Sequence, residues 1–150
     1  MVTDVSRGWP CNGKYSERQK LLYECAYRTS QHMFEILKPG IPMLDVDKMI
    51  REYNYGQLKE AGVCCSYDEI GTYMWHGGAH HIGFDVHDMV SAREAVTEAG
   101  MVFCVDIGIY HEEWGIGFRL EDNCLITAEG CRNLSADIPR TVEEIESVMK

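Results

Sequence analysis

The sequence predicts an α+β domain in which two amphipathic helices precede a β-rich half. Three observations predict it. Apolar residues recur at helical spacing from Leu22 to Leu37. A second run of that kind reaches Gly62, and from Met101 onward short runs rich in Val and Ile take over.

Pro10 and Asn12-Gly13 mark an extended piece and a turn. Ser16 reads as a helix N-cap, with Gln19 placed to complete a capping box. Leu22, Cys25, Ala26, Thr29, Met33, Ile36 and Leu37 then share one helical side, and Pro39-Gly40 ends the helix. A second helix starts near Leu44 or Asp45, lined by Val46, Met49, Ile50, Tyr53 and Leu58, with Gly62 suited to its C-terminal cap. Residues 63–90 are rich in Gly, His and aromatics without helical period, and Gly77-Gly78 disfavours a helix there. Residues 101–109 form a β-rich run, and a return strand from Gly117 to Ile126 follows a turn at Glu112–Gly115. Thr141-Val142-Glu143-Glu144 starts a short capped helix after Pro139. Nothing in the chain reads as a linker, a repeat or a low-complexity tract.

A chain of 150 residues with 25% charged residues is expected to fold as one globular domain. A net charge of −10 argues against nucleic-acid binding through phosphates. No apolar run is long enough to cross a membrane, and Met1–Arg7 has no apolar core of a signal peptide. The seven cysteines form no C-x-x-C pair. Free thiols in a reducing cytoplasm are the expectation.

Candidate chemistry sits in three places. Four of the six histidines lie between His76 and His87, where chance would put about half of one. Imidazole is the commonest metal ligand and a proton shuttle near neutrality, but the residues alone also fit a His-rich surface loop. Asp106 stands in an apolar strand, sharing a face with Val102 and Cys104. Its charge is costly there unless paired or metal-bound, or else it lies exposed at a strand end. Arg119 and Glu121 share the face of the return strand, so the guanidinium could orient the carboxylate or simply form a solvent-facing ion pair. One histidine with several carboxylates on neighbouring strands suits Mn²⁺, Co²⁺ or Zn²⁺.

The run His76-Gly77-Gly78-Ala79-His80-His81-Ile82-Gly83-Phe84-Asp85-Val86-His87-Asp88 resembles the H-G-x-x-H-x-x-G-x-D-V-H-D motif of Xaa-Pro aminopeptidases and dipeptidases, of the creatinase/aminopeptidase P family. The resemblance continues through Gly100–Phe103, Gly108–Tyr110, Gly115–Asn123 and Leu134–Thr141, and Asp4–Tyr15 resembles the family's D-x-T-R-x-x-P-x-N-G stretch. It implies part of a pita-bread fold, with two helices against a curved, mainly antiparallel sheet. It implies Asp4, His80 and Glu121 as metal ligands, Glu121 bridging two ions, and Asp106 at another ligand position. His76 and His87 match histidines that hold substrate and the tetrahedral intermediate, and Arg119 matches an arginine beside the bridging glutamate. The implied cofactor is one or two divalent ions, Mn²⁺ first, with Co²⁺ or Zn²⁺ as alternatives. The implied reaction is attack by metal-bound hydroxide on the bond before proline, with release of the N-terminal residue from a peptide substrate.

The chain departs from the family pattern twice. A first aspartate ligand, about ten residues upstream of the second, has no counterpart, since Met1 stands three residues before Asp4. Residues 1–150 are therefore expected to form a single domain, the C-terminal part of a catalytic domain lacking its first ligand strand. An uncovered sheet edge would favour a homodimer. Asp106-Ile107 replaces the family's Glu-Pro, which shortens the reach of the carboxylate by roughly 1.3 Å. These departures leave an alternative: an inactive or weakly active relative that binds peptides or proteins.

Overall fold

The computed structural model describes residues 2–88 and 96–149; Met1, and Met89 and Val90 at the end of the Gly- and His-rich stretch, lie outside them. Helix α1 spans Glu17–Ile36 and opens with the expected capping box between Ser16 and Gln19. Leu22, Cys25, Ala26, Thr29 and Met33 form its buried stripe. Helix α2 spans Met43–Glu60, and Gly62 follows its end at φ 72°, a left-handed conformation that suits glycine. Its buried stripe runs through Val46, Ile50, Asn54 and Leu58, whereas the expected Met49 and Tyr53 are only half-buried. A polar residue can hold that place because Thr29 Oγ1 of α1 donates to Asn54 Oδ1 at 3.1 Å.

The stretch without helical period nonetheless contains a 3₁₀ turn, Tyr67–Glu69, and a one-turn helix α3, Ile70–Tyr73. Ser66 and Glu69 cap the turn reciprocally. Segments this short carry no periodic signal. Among the described residues, four strands follow: β1 (Ala79–His81), β2 (Val102–His111), β3 (Ile116–Ile126) and β4 (Cys131–Asn133). They form one antiparallel sheet in the order β1-β2-β3-β4. Helix α4, Val142–Val148, begins at Thr141 with a capping box to Glu144.

Strand alternation divides the sheet into two faces. Phe103, Val105, Ile107 and Ile109 of β2, with Leu120, Cys124 and Ile126 of β3, join the core beneath α1 and α2. The opposite face carries Cys104, Asp106, Gly108, Arg119, Glu121 and Asn123, and this is where the polar groups gather.

The N-terminal segment extends the sheet beside β3. Ser6 and Glu121 exchange backbone hydrogen bonds of 3.3 and 3.0 Å. Buried Asp122 locks that segment in place: Arg7 Nη2 donates to one carboxylate oxygen at 2.8 Å and Arg140 Nε to the other at 2.9 Å. Arg140 also reaches Ser30 of α1. One carboxylate thus ties the N-terminal segment, the sheet and the approach to α4 together.

Candidate metal centre

Two cross-strand rows build the site. In the first, His80 of β1 faces Cys104 of β2, which faces Asn123 of β3. The Ser6–Glu121 bridge, continued by two residues, brings Asp4 opposite Asn123, and Asp4 N–H donates to Asn123 Oδ1 at 3.3 Å. In the second row, Asp106 faces Glu121, which faces Ser6. Residues directly opposite have Cβ atoms roughly 4.5–5.5 Å apart, so side chains within and between these rows meet.

They do so most closely at Asp4, His80, Cys104 and Glu121, whose ligand-capable atoms all lie within 4.8 Å of one another. His80 Nε2 is 3.0 Å from Glu121 Oε1 and 3.8 Å from Asp4 Oδ2. Donor atoms around one ion at ordinary bond lengths lie roughly 3.3–3.7 Å apart, a range these two distances bracket. His80 Nδ1 donates to its neighbour's carbonyl at 3.2 Å, which turns Nε2 toward the carboxylates, the arrangement usual for a metal-bound imidazole. Ser6 Oγ donates to Glu121 Oε2 at 2.8 Å and steadies that carboxylate.

The electrostatics describe a site short of positive charge. Burial, and then the charge of Glu121, hold the Asp4 carboxyl above its ordinary range. Burial also pushes Glu121 upward, but the hydrogen bonds from His80 and Ser6 outweigh it and leave Glu121 low. Its hydrogen bond to Glu121 raises His80 despite burial. Asp106 is pushed up to about 7 by burial and by Glu121, against the pull of Arg119. Asp106 is 1% exposed, and among the described residues its Oδ1 has no hydrogen-bond partner. Converging carboxylates and an oriented imidazole fit a divalent cation.

The structure brings Asp4, His80 and Glu121 together but leaves Asp106 outside that tight cluster. Asp106 Oδ2 instead lies 3.3 Å from Arg119 Nη1 and 3.4 Å from His76 Nδ1. The expected pairing of Arg119 with Glu121 is therefore corrected. Glu121 is taken by Ser6 and His80, while the short side chain of Asp106 stays within reach of the guanidinium, one row along. Arg119 Nε also donates to the Tyr110 hydroxyl at 3.0 Å, and that hydroxyl donates to His76 Nε2 at 3.0 Å. Nδ1 donates to the Gly77 carbonyl at 2.7 Å, and burial holds the His76 ring below the ordinary histidine range against that bond. Gly108 makes room for it: a Cβ there would lie 2.2 Å from His76 Nε2. His87 is exposed and stands edge-on to His80, ring centroids 4.5 Å apart. His76, His80, His87, Asp106 and Arg119 line one cleft of about 770 Å³.

Three residues of this geometry escaped the sequence reading. Ser6 and Tyr110 lie inside runs that carry the family resemblance, Asp4–Tyr15 and Gly108–Tyr110, but neither was expected to have a role at the site. Cys104 carried one usable signal, its place two residues before Asp106 on the same strand face.

The model of metallopeptidase family M24 matches residues 1–128. The chain belongs to metallopeptidase family M24. Among curated M24 relatives, it is 35% identical to Xaa-Pro aminopeptidase 1 of Streptomyces coelicolor, over 99% of this chain and 34% of that protein. It is 30% identical to the Xaa-Pro aminopeptidase of Escherichia coli, over 97% of this chain and 37% of that protein. The solved aminopeptidase PepP of Pseudomonas aeruginosa superposes with TM-score 0.86 at 30% identity, covering 98% of this chain and 38% of that one. Zinc-substituted E. coli aminopeptidase P in complex with product superposes with TM-score 0.85 at 30% identity, over 97% and 37% of the two chains. The M24 chain therefore spans about a third of the length of these relatives, and its fold is part of their pita-bread fold. Among the described residues, no helix is long and apolar enough to cross a membrane.

Proposed function

We propose that this chain is part of the catalytic domain of a metallo-aminopeptidase that releases the residue preceding proline from a peptide. One observation carries the reading: His80, Glu121 and Asp4 converge beside a cleft that His76, His87 and Arg119 also line. Asp4, His80 and Glu121 hold the divalent ion, with Mn²⁺, Co²⁺ or Zn²⁺ compatible with these donors. When bound, such an ion supplies Lewis-acid activation of water and of a peptide carbonyl. The remaining work falls to the protein. Ser6 fixes Glu121 so that Oε1 keeps its aim toward His80. His76, lowered by burial and oriented by its hydrogen bonds to Gly77 and Tyr110, presents a fixed ring at the cleft wall. His87, open to solvent over His80, donates a ring N–H to the oxygen on which charge develops.

The test is metal content by elemental analysis after incubation with Mn²⁺ or Zn²⁺, followed by a mass-spectrometric assay of Xaa-Pro peptide cleavage. One to two ions per chain and release of the first residue are expected, both lost in Glu121→Gln. A fully loaded protein without turnover would overturn the catalytic reading.

The engagement of Asp106 by Arg119 favours a second reading, a peptide-binding relative with a single ion and little or no turnover. Calorimetric binding of an Xaa-Pro peptide to loaded protein that leaves the peptide intact would select it.

A further inference from the structure

We infer that Cys104 supplies a thiolate to the ion held by Asp4, His80 and Glu121, so that the centre favours a borderline ion such as Zn²⁺ or Co²⁺ over Mn²⁺. The inference rests on the metal-centre reading above and adds a ligand to it.

The geometry is that of the first cross-strand row. Cys104 stands directly across from His80 and one row along from Glu121, on the face that carries all the other donors. It is fully buried, so its sulfur contacts only the groups around it. Two of its contacts are weak: Sγ lies 3.9 Å from the Asp4 carbonyl and 3.7 Å from Asn123 Oδ1. The thiol also shares a side-chain hydrogen bond with the Glu121 carboxylate, which draws the sulfur into the cluster, within 4.8 Å of three ligand-capable atoms. Asp106, which could have supplied a hard carboxylate oxygen, is instead turned to Arg119 and His76. The tight cluster becomes two carboxylates, one imidazole and one thiol, a four-donor set matching the tetrahedral preference of zinc. On coordination the S–H bond breaks, its proton leaves to solvent, and the sulfur electron pair forms the bond to the ion. A thiolate raises affinity for Zn²⁺ and Co²⁺ and does little for Mn²⁺.

Absorption spectroscopy of the protein titrated with Co²⁺ tests this without any activity assay. A thiolate bound to Co²⁺ produces an intense near-ultraviolet charge-transfer band, which carboxylate and imidazole ligands do not. The band is expected in the native chain and in a Cys124→Ser control, and is expected to vanish in Cys104→Ser while Co²⁺ remains bound. Zn²⁺ affinity of Cys104→Ser should fall by at least ~10-fold, the cost of losing even an outer partner of a ligand, with Mn²⁺ affinity nearly unchanged. Co²⁺ bound to the native chain without the band overturns the thiolate and leaves the metal centre standing. No Co²⁺ bound at all overturns both. The native spectrum alone decides between these outcomes if the serine variant fails to fold.

Discussion

Asp106 and Glu121 face each other across β2 and β3, yet they belong to different networks. Glu121 is held by Ser6 and His80, and Asp106 by Arg119. Lengthening Asp106 tests whether reach alone separates them. Asp106→Glu extends the carboxylate by roughly 1.3 Å toward the cluster. We predict a rise in Mn²⁺ affinity of about tenfold, equivalent to ~1.4 kcal/mol, by isothermal titration calorimetry. Unchanged affinity would remove this position from the ligand set.

The same carboxyl predicts a pH dependence in the metal-free protein. Asp106 moves from 3.8 to about 7 on folding, so between those values the folded state binds more protons than the unfolded one. Stability from this group is therefore lost as pH rises from about 4 to 7, by on the order of 4 kcal/mol. Raised His80 acts in the same sense at higher pH, through and above its ordinary range. His76 and His81, lowered by burial, act in the opposite sense near 6.5. The difference between native and Asp106→Asn isolates the one group. The variant should gain stability relative to the native chain as pH rises from 4 to 8, measured by urea unfolding with chelator present. A gap independent of pH would show that Asp106 titrates normally.

The helices were legible because each buries a stripe long enough to leave a period, and because Ser16 and Thr141 carry complete capping boxes. The sheet was legible where β2 and β3 are long and apolar; β4, at three residues, leaves no pattern. The site was legible through spacing, since histidines and carboxylates clustered in the chain also converge in space. What the chain order hid is lateral. The pairing of Arg119 with Asp106 rather than Glu121 depends on which strand residue lies one row away. The arrival of Cys104 beside His80 depends on the register between β1 and β2. Strand sequences do not state their register when both neighbours are polar on the same face.

Gly108 supplies a steric prediction. A Cβ there would lie 2.2 Å from His76 Nε2 and 3.0 Å from the Tyr110 ring. Gly108→Ala must push His76 off its hydrogen bond to Tyr110, at a cost of about 1–3 kcal/mol. Thermal denaturation should show that loss, and the histidine ring resonances of His76 should shift in NMR spectra. Full retention of both would mean that the strand yields without moving the ring.

Asp122 supplies the largest expected effect on stability. It is fully buried and accepts from Arg7 and Arg140, themselves largely buried. Asp122→Ala leaves two cations without their partner and should cost about 3–5 kcal/mol in chemical denaturation. The exposed Lys48–Glu52 pair, 3.8 Å apart, is the internal control, and Glu52→Ala should change stability by less than about 1 kcal/mol. Arg7 belongs to the segment that brings Asp4 to the metal centre, so Asp122→Ala should also loosen that ligand. Metal affinity measured under folding conditions should therefore fall in Asp122→Ala and hold steady in Glu52→Ala. A destabilised variant with native metal affinity would show that the Ser6–Glu121 bridge alone positions Asp4.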